Sequence, residues 1–342
     1  MREGDRYVQW DPEERGRLFS ELAEKEILTQ QKEDLKNFGI EYDVWFSERT
    51  LYETGKVQEA IELMRQNGYT YEADGALWLR STAAGDDKDR VLIRSNGLPT
   101  YIASEAAYNR DKFERGFDKV LNIWGPDHHG YVARTKAVVQ ALGYDPNRLD
   151  IVIHQIVRFF SQGQEVRMSK RAGEFITLAE VLEEIGKDAA RFFYLMRSAD
   201  TVFDFDLELA KKQSDENPVY YVQYAHARIC SILRTAEERG VPLPDPLRSD
   251  LEMLSDPAEV ELIRKLASFR DEIRGAALAY EPHRMTRYAI DLAILFHQFY
   301  TVCRVLSDDP ELTAARLVLV EAARIVLRNC LTLLGVTAPE RM

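Results

Sequence analysis

Arg167, Lys170 and Arg171 crowd basic charge into five positions of the run Val166-Arg-Met-Ser-Lys-Arg-Ala-Gly173. Gly163 precedes the run and Gly173 closes it, so the backbone has freedom at both ends. Just upstream, Ile151 to Phe160 is an apolar stretch that reads as one buried strand. A basic loop leaving such a strand can close over a polyphosphate, with Lys170 as a point charge and backbone amides on the oxygens. The same charges also suit an ordinary solvated loop. Residue types alone leave both readings open.

Three further sets of residues can carry chemistry. Asp127-His128-His129-Gly130 follows a second apolar stretch, Lys119 to Trp124, and its terminating Gly125-Pro126. Neutral imidazoles can donate to ribose or phosphate oxygens, and Gly130 lets backbone approach a ligand. The plain alternative is a satisfied histidine pair at a strand end. A DHH string also occurs in a class of metal-dependent phosphoesterases, but that chemistry needs further carboxylates around paired cations. No acid-rich motif accompanies this one, so no metal ligand set is assigned. Tyr101 and Glu105 lie four apart and share a face if helical. A carboxylate with a tyrosine beside it can take a two-pronged hydrogen bond from a guanidinium; an exposed pair at a helix start is the bland alternative. Finally, Tyr220, Tyr221, Tyr224 and Arg228 fall on two adjacent lines of one helix. Such aromatics either fill a core or stack on unpaired bases. Arg304, Arg316, Arg324 and Arg328 are further cations that could meet phosphates.

These groups need elements to position them. Pro12 to Asn37 is charged and helical in period, and Gly39 to Phe46 is extended. Val57 to Asn67 reads as a helix stopped by Gly68. Tyr69 to Arg80 reads as a hairpin turning at Asp74-Gly75. From Val91 the texture becomes α/β: strand Val91–Arg94, helix Tyr101–Tyr108, strand Lys119–Trp124, helix Gly130–Leu142, strand Ile151–Phe160. That alternation predicts a parallel sheet with ligands at the carboxyl ends of its strands. Asp127 to His129 and the Val166–Gly173 loop would then face one crevice. Thr177 with Glu180 predicts a capping box, Gly186 an end to that helix, and Asp188 the cap of another running to Met196. Beyond Asn217 the pattern is a helix bundle, with Pro218, Pro257, Pro282 and Pro310 near helix starts and Gly240 and Gly335 past helix ends.

Arg167-Met-Ser-Lys-Arg171 resembles the KMSKS signature of class I aminoacyl-tRNA synthetases. Its continuation through Phe175, Thr177 and Leu178 looks like the arginyl branch. Trp124 to Tyr131 with Arg134, Arg197 to Asp200, Asp204 to Asp206, Asn217 to Arg228 and Ala338 to Met342 are similar to the same family. The resemblance runs from about Leu35 to Met342. It implies an α/β plus all-α fold: the second half of a Rossmann-like parallel sheet, then an all-helical anticodon-binding bundle. The expected divisions are 1–90 (end of the first catalytic half, or an insertion), 91–175 (α/β half with the basic loop), 176–216 (helical connection) and 217–342 (anticodon-binding domain).

The implied activity is ATP-dependent joining of arginine to its tRNA. By resemblance, Arg167, Met168, Ser169 and Lys170 serve catalysis, and Gly125, Asp127, His128, His129 and Gly130 line the ATP and adenylate crevice. Tyr101 and Glu105 hold the arginine side chain, where the family places an Asp. Tyr220, Tyr221, Tyr224 and Arg228 meet tRNA. ATP comes with Mg2+ as substrate, and no tightly bound cofactor is implied. The family's early His-Ile-Gly-His element has no counterpart in this sequence. The expectation is therefore a C-terminal part that is inactive alone: a fragment, a truncated gene, or one chain of a split enzyme whose other chain carries the first half. A non-catalytic module that binds tRNA or a partner is the alternative.

Composition sets bounds on all of this. A length of 342 residues predicts two or three domains. Lys+Arg 45 against Asp+Glu 57 gives a net charge of −12, which excludes a generally basic nucleic-acid coat but leaves room for a local basic patch. Cys230, Cys303 and Cys330 lie in apolar helical contexts and read as reduced core thiols. No apolar run reaches the roughly 18 residues of a membrane span, and Met1 to Arg6 does not resemble a secretion signal. A cytoplasmic location is the expectation.

Overall fold

The structure is a computed structural model that describes residues 6–166 and 176–342. It divides into two compact units. One comprises Asp43–Val157 and Ala199–Phe203; the other comprises Met1–Tyr42, Arg158–Ser198 and Asp204–Met342.

The chain enters the larger unit through α1 (Pro12–Phe38). The Asp11 carboxylate accepts from the amides of Glu13 and Glu14 and so satisfies the first turn. Gly39, at φ +78°, ends the helix in the left-handed conformation that glycine permits.

The smaller unit begins with α2 (Arg49–Glu53) and α3 (Lys56–Gln66). Strands β1 (Thr70–Ala73) and β2 (Ala76–Leu79) form the expected hairpin. Asp74 (φ +51°) and Gly75 (φ +72°) supply the two positive φ angles that its two-residue turn requires. Strand β3 (Arg90–Ile93) pairs antiparallel with β2, which corrects the expectation that this stretch joins a parallel sheet. The connection 80–89 is too short to hold the helical crossover that parallel pairing demands. Helix α4 (Tyr101–Glu114) runs past the expected end at Tyr108. Its Ala103, Ala106 and Ala107 pack against Val57, Ile61 and Met64 of α3, where small side chains let two helices approach closely.

Strand β4 (Val120–Trp124), helix α5 (Val132–Ala141) and strand β5 (Leu149–Ile153) make one parallel βαβ unit, in register from Val120↔Leu149 to Trp124↔Ile153. Phe113, Val120, Val139 and Leu149 fill its core. The apolar stretch Ile151–Phe160 is not one strand. After Ile153 the His154 amide turns to the Trp124 carbonyl and the Gln155 amide to the Ala199 carbonyl. Strand β6 (Val157–Ser161) then starts afresh, paired antiparallel with β7 (Gln164–Glu165) across the Gln162-Gly163 turn. Residue 166 thus leaves an antiparallel hairpin and not the end of a parallel strand, which corrects the second sheet expectation.

The larger unit continues with α6 (Leu178–Tyr194), opened by the Thr177–Glu180 capping box and interrupted at Gly186, where φ is +77°. Strand β8 (Phe203–Asp206) flanks β6 on the side away from β7. After α7 (Leu207–Lys211) come α8 (Pro218–Glu238), α9 (Pro257–Ala267), α10 (Phe269–Ala279), α11 (His283–Val302) and α12 (Pro310–Leu334). Asn217, Asp256 and Asp309 cap their helices, each followed by a proline whose missing N–H is no loss there. Helices α8, α11 and α12 pack on one another around Val222, Ile229, Leu292, Phe296, Val320 and Leu327. Among the described residues no helix is long and apolar enough to cross a membrane.

Candidate active site and nucleic-acid interface

In the smaller unit, Gly125 ends β4 and Pro126 opens a 3-10 turn, Pro126–Tyr131, that leads into α5. Asp127, His128, His129 and Gly130 all sit on this turn, exposed, at the carboxyl end of a parallel strand. The His128 amide bonds the Gly125 carbonyl at 3.1 Å, and its ring lies 5.9 Å from Trp124 and 5.3 Å from Tyr131. The Arg134 guanidinium stacks over Tyr131 at 3.6 Å, and its Nε is buried with no partner among the described residues.

Tyr101 opens α4 and is 84% exposed. Glu105, one turn later on the same face, is half-buried and accepts a hydrogen bond from the Thr135 hydroxyl on α5. The Tyr101–Glu105 face and the Gly125–Tyr131 turn are thus tied through α5, whose Thr135 oxygen also lies 3.0 Å from the Tyr131 carbonyl. Further along that face, Asn109 is buried with its Oδ1 unpaired, and Lys112 donates to Asn122 on β4 at 2.8 Å. Burial pulls the Lys112 ammonium down to about 8, against the nearby Glu105 charge, which pushes it up. A carboxylate anchored through one oxygen and half open to solvent can receive a cationic side chain. Sequence reading missed Thr135, Lys112 and Asn122. For Thr135, a lone polar residue inside an apolar helix stripe was the available signal.

Arg167, Met168, Ser169 and Lys170 lie outside the described residues. Among the described residues no cluster of three or more His, Cys, Asp or Glu side chains could hold a metal ion.

In the larger unit the four residues expected to meet RNA are not all together. Tyr224 and Arg228 line a cavity of about 1110 Å³. The Arg228 guanidinium lies 4.6 Å from the Tyr224 ring and 5.0 Å from the Tyr300 ring, and it bonds the Tyr224 hydroxyl. Tyr220 runs parallel to Tyr224, centroids 6.5 Å apart, but lines a separate hollow beside Lys212 and Gln223. Tyr221 packs on His297 at 5.0 Å. Burial, and then Arg228, lower the His297 imidazole to about 4, and neither of its nitrogens has a partner among the described residues.

Besides Arg228, the cavity is lined by Arg234, Arg239, Arg304 and Arg341, and by no Asp or Glu. In a chain of net charge −12 that is a local reversal of sign. Of the other arginines singled out in the sequence, Arg316 is bound to the buried Glu259 and Arg324 to Glu321. Tyr300, Arg234, Arg239 and Arg341 escaped sequence reading, because periodicity alone does not tell which flank of α11 turns toward α8.

The sequence matches the family model described as tRNA synthetases class I (R), catalytic domain, over residues 9–213. The chain belongs to the class I arginyl-tRNA synthetase family. The DALR anticodon binding domain matches residues 222–342, the segment that holds the arginine-lined cavity. An arginine–tRNA ligase of Moorella thermoacetica is 57% identical over 99% of this chain and 60% of its own length. One of Heliobacterium modesticaldum is 56% identical over 100% of this chain and 61% of its own length. A Campylobacter jejuni protein described as an arginyl t-RNA synthetase superposes with a TM-score of 0.87 at 33% identity, over 97% of this chain and 72% of that one. The chain therefore spans about three fifths of the length of the curated relatives it matches.

Proposed function

We propose that this chain supplies the anticodon-reading bundle and part of the catalytic domain of an enzyme that joins arginine to its tRNA at the expense of ATP. The observation that carries this reading is the cavity on α8 and α11: five arginines, two tyrosines and no Asp or Glu side chain, inside the segment matched by the anticodon-binding model. Arginines neutralise phosphates, and tyrosine faces stack on bases splayed out of a loop. Tyr224 and Arg228 take the central place there, with Tyr220 and Tyr221 on the flanks.

In the catalytic part, Gly125, Asp127, His128, His129 and Gly130 face the nucleotide from the carboxyl end of β4. Tyr101 and Glu105 receive the substrate guanidinium, with Thr135 holding one carboxylate oxygen. Lys170 meets the charge that develops at the α-phosphate and on the departing pyrophosphate, with Arg167, Met168 and Ser169 shaping its loop. Magnesium accompanies ATP, held by phosphate oxygens and water. The working divisions are 91–175 for substrate handling and 217–342 for RNA, joined by 176–216. Residues 1–90 form the close of the first catalytic half or an insertion. Relatives are longer than this chain, and we assign the remaining catalytic groups, including the first half of the nucleotide sheet, to sequence outside it, on the same polypeptide or a separate one.

Fluorescence anisotropy with labelled RNA hairpins tests the RNA half of the reading. The anticodon arm of arginine tRNA should bind more tightly than unrelated hairpins, and Tyr224→Ala should weaken it by about 1–3 kcal/mol. Equal affinity for every hairpin at every salt concentration refutes specific recognition. For the catalytic half, arginylation by the assembled enzyme should fall by about a hundredfold or more in Lys170→Ala while RNA affinity stays unchanged.

A further inference from the structure

The last residues of the chain, 336–342, follow α12 without regular structure and lie along α8. Val336 is buried, and its amide bonds the Leu331 carbonyl, closing the helix. Beyond it the hold is polar. The Asp188 carboxylate on α6 accepts from the Thr337 amide at 3.2 Å, from the Thr337 hydroxyl, and from the Gln223 side chain on α8 at 2.8 Å. Gln223 in turn donates to the Thr337 carbonyl at 3.0 Å. Farther along, His226 Nδ1 donates to the Pro339 carbonyl at 2.9 Å and Arg234 to the Glu340 carbonyl at 3.2 Å. Arg341 and Met342 then join Tyr224 and Tyr300 in lining the arginine-rich cavity.

We infer that Asp188 is a positioning residue for the RNA-binding cavity: it seats the strap 336–342 on α8 through Thr337 and Gln223, and the seated strap supplies Arg341 and Met342 to the lining. The inference rests on the RNA reading above. The hydrogen-bond partners of Asp188, Thr337 and Gln223, do not line the cavity, so Asp188 acts through the strap. Hydrogen bonds to an ionised acceptor are the strong kind; three converge on Asp188, two of them from Thr337, the residue just past the buried Val336, and one from Gln223. His226 and Arg234 bind backbone carbonyls downstream, so they grip the strap only once its register is set. Burial lowers the His226 pKa, which keeps that ring neutral and its Nδ1–H a plain donor. Asp188 lies on α6 just beyond its break at Gly186, so the seat joins that second segment of α6, α8 and the strap in one node.

The test uses the full chain, residue-resolved hydrogen exchange and anisotropy with the arginine anticodon arm. Asp188→Ala, and Thr337→Val as a surface variant that leaves the core intact, should speed exchange at the Thr337 amide. The Val336 amide, held by Leu331, should stay protected. Both variants should weaken RNA binding by about fivefold to tenfold. A chain ending at Thr337 should lose at least as much, and Asp188→Ala should add nothing to that loss. RNA affinity unchanged in both point variants overturns the inference, as does full additivity with the truncation. A Thr337 amide that stays protected in Asp188→Ala overturns the inference alone. A wild-type chain that binds no hairpin overturns the RNA reading and the inference with it.

Discussion

The Thr135 hydroxyl on α5 is hydrogen-bonded to the Glu105 carboxylate on α4, and the two residues come from opposite sides of a packed helix pair. Thr135 is fully buried while Glu105 is half-open, so the bond fixes one oxygen of a carboxylate that solvent still reaches. It links the helix that follows the Asp127–His129 turn to the face that carries Tyr101. Packing, electrostatics and the proposed substrate contact meet at this pair.

Thr135→Val should therefore cost about 1–2 kcal/mol of stability, because an isosteric methyl replaces the donor to a carboxylate. In a Glu105→Ala background the same change should cost little. Urea unfolding of the four members of this double-mutant cycle measures the coupling. Equal costs in both backgrounds would show that the hydroxyl contributes only through its own helix.

Lys112 gives the α4 seam a pH signature. Burial holds its ammonium at about 8 in the folded chain, below the ordinary 10.5. Between these values the unfolded chain binds the proton more tightly, so this group's contribution to stability rises with pH from about 8 to 10.5. At roughly 1.4 kcal/mol per unit the full gain is of the order of 3–4 kcal/mol. The difference in unfolding free energy between wild type and Lys112→Met should climb across that window. A flat difference would mean that the ammonium keeps its ordinary affinity for protons despite burial, held charged by the Tyr108 ring 4.1 Å away.

His297 predicts the opposite end of the scale. Its imidazole is lowered to about 4 by burial first and Arg228 second. As pH falls from 6.5 toward 4 the unfolded chain takes up a proton that the folded one resists, so stability is lost over that interval. His297→Phe should flatten the acid limb of thermal unfolding and leave the neutral region unchanged or slightly stabilised, since no bonded nitrogen is lost. An unchanged acid limb would remove His297 as its source.

What the sequence made legible was mostly local. Asp74-Gly75, the Thr177–Glu180 box and the prolines behind Asn217, Asp256 and Asp309 each fix a backbone conformation through neighbouring atoms, and each appears in the structure. Asp127 to His129 were placed at the carboxyl end of a strand by the same local logic. Strand pairing was not legible. Ile151 to Phe160 is apolar throughout, and nothing in it shows that the amides of His154 and Gln155 go to Trp124 and Ala199. Nor could Val91 announce an antiparallel partner. In the candidate site, Glu105 could be read as a receptor for a cation, but its anchor Thr135 comes from a different helix. Tyr300 likewise reaches Arg228 only because α11 packs on α8.

Arg191 allows the most discriminating prediction about the larger unit. Its Nε donates to the Leu334 carbonyl at 2.9 Å, and its Nη1 to the carbonyls of Phe38 at 3.1 Å and Gly39 at 3.2 Å. One guanidinium thus closes the carboxyl ends of α1 and α12, where the helix dipole favours a cation and backbone acceptors lack partners. Arg191→Met should cost about 2–4 kcal/mol, since it strips these acceptors of a charged donor. Gly335 follows α12 at φ +69°, and a Cβ there would collide with the Arg191 guanidinium. Gly335→Ala therefore has two sources of cost: backbone strain of about 1 kcal/mol and displacement of Arg191. In an Arg191→Met background only the strain should remain. Urea unfolding of wild type, both single variants and the double variant should give a total loss clearly smaller than the sum of the single losses. Simple additivity would mean that the guanidinium moves aside without losing its three carbonyls, and would remove Arg191 as the shared closure of the two helices.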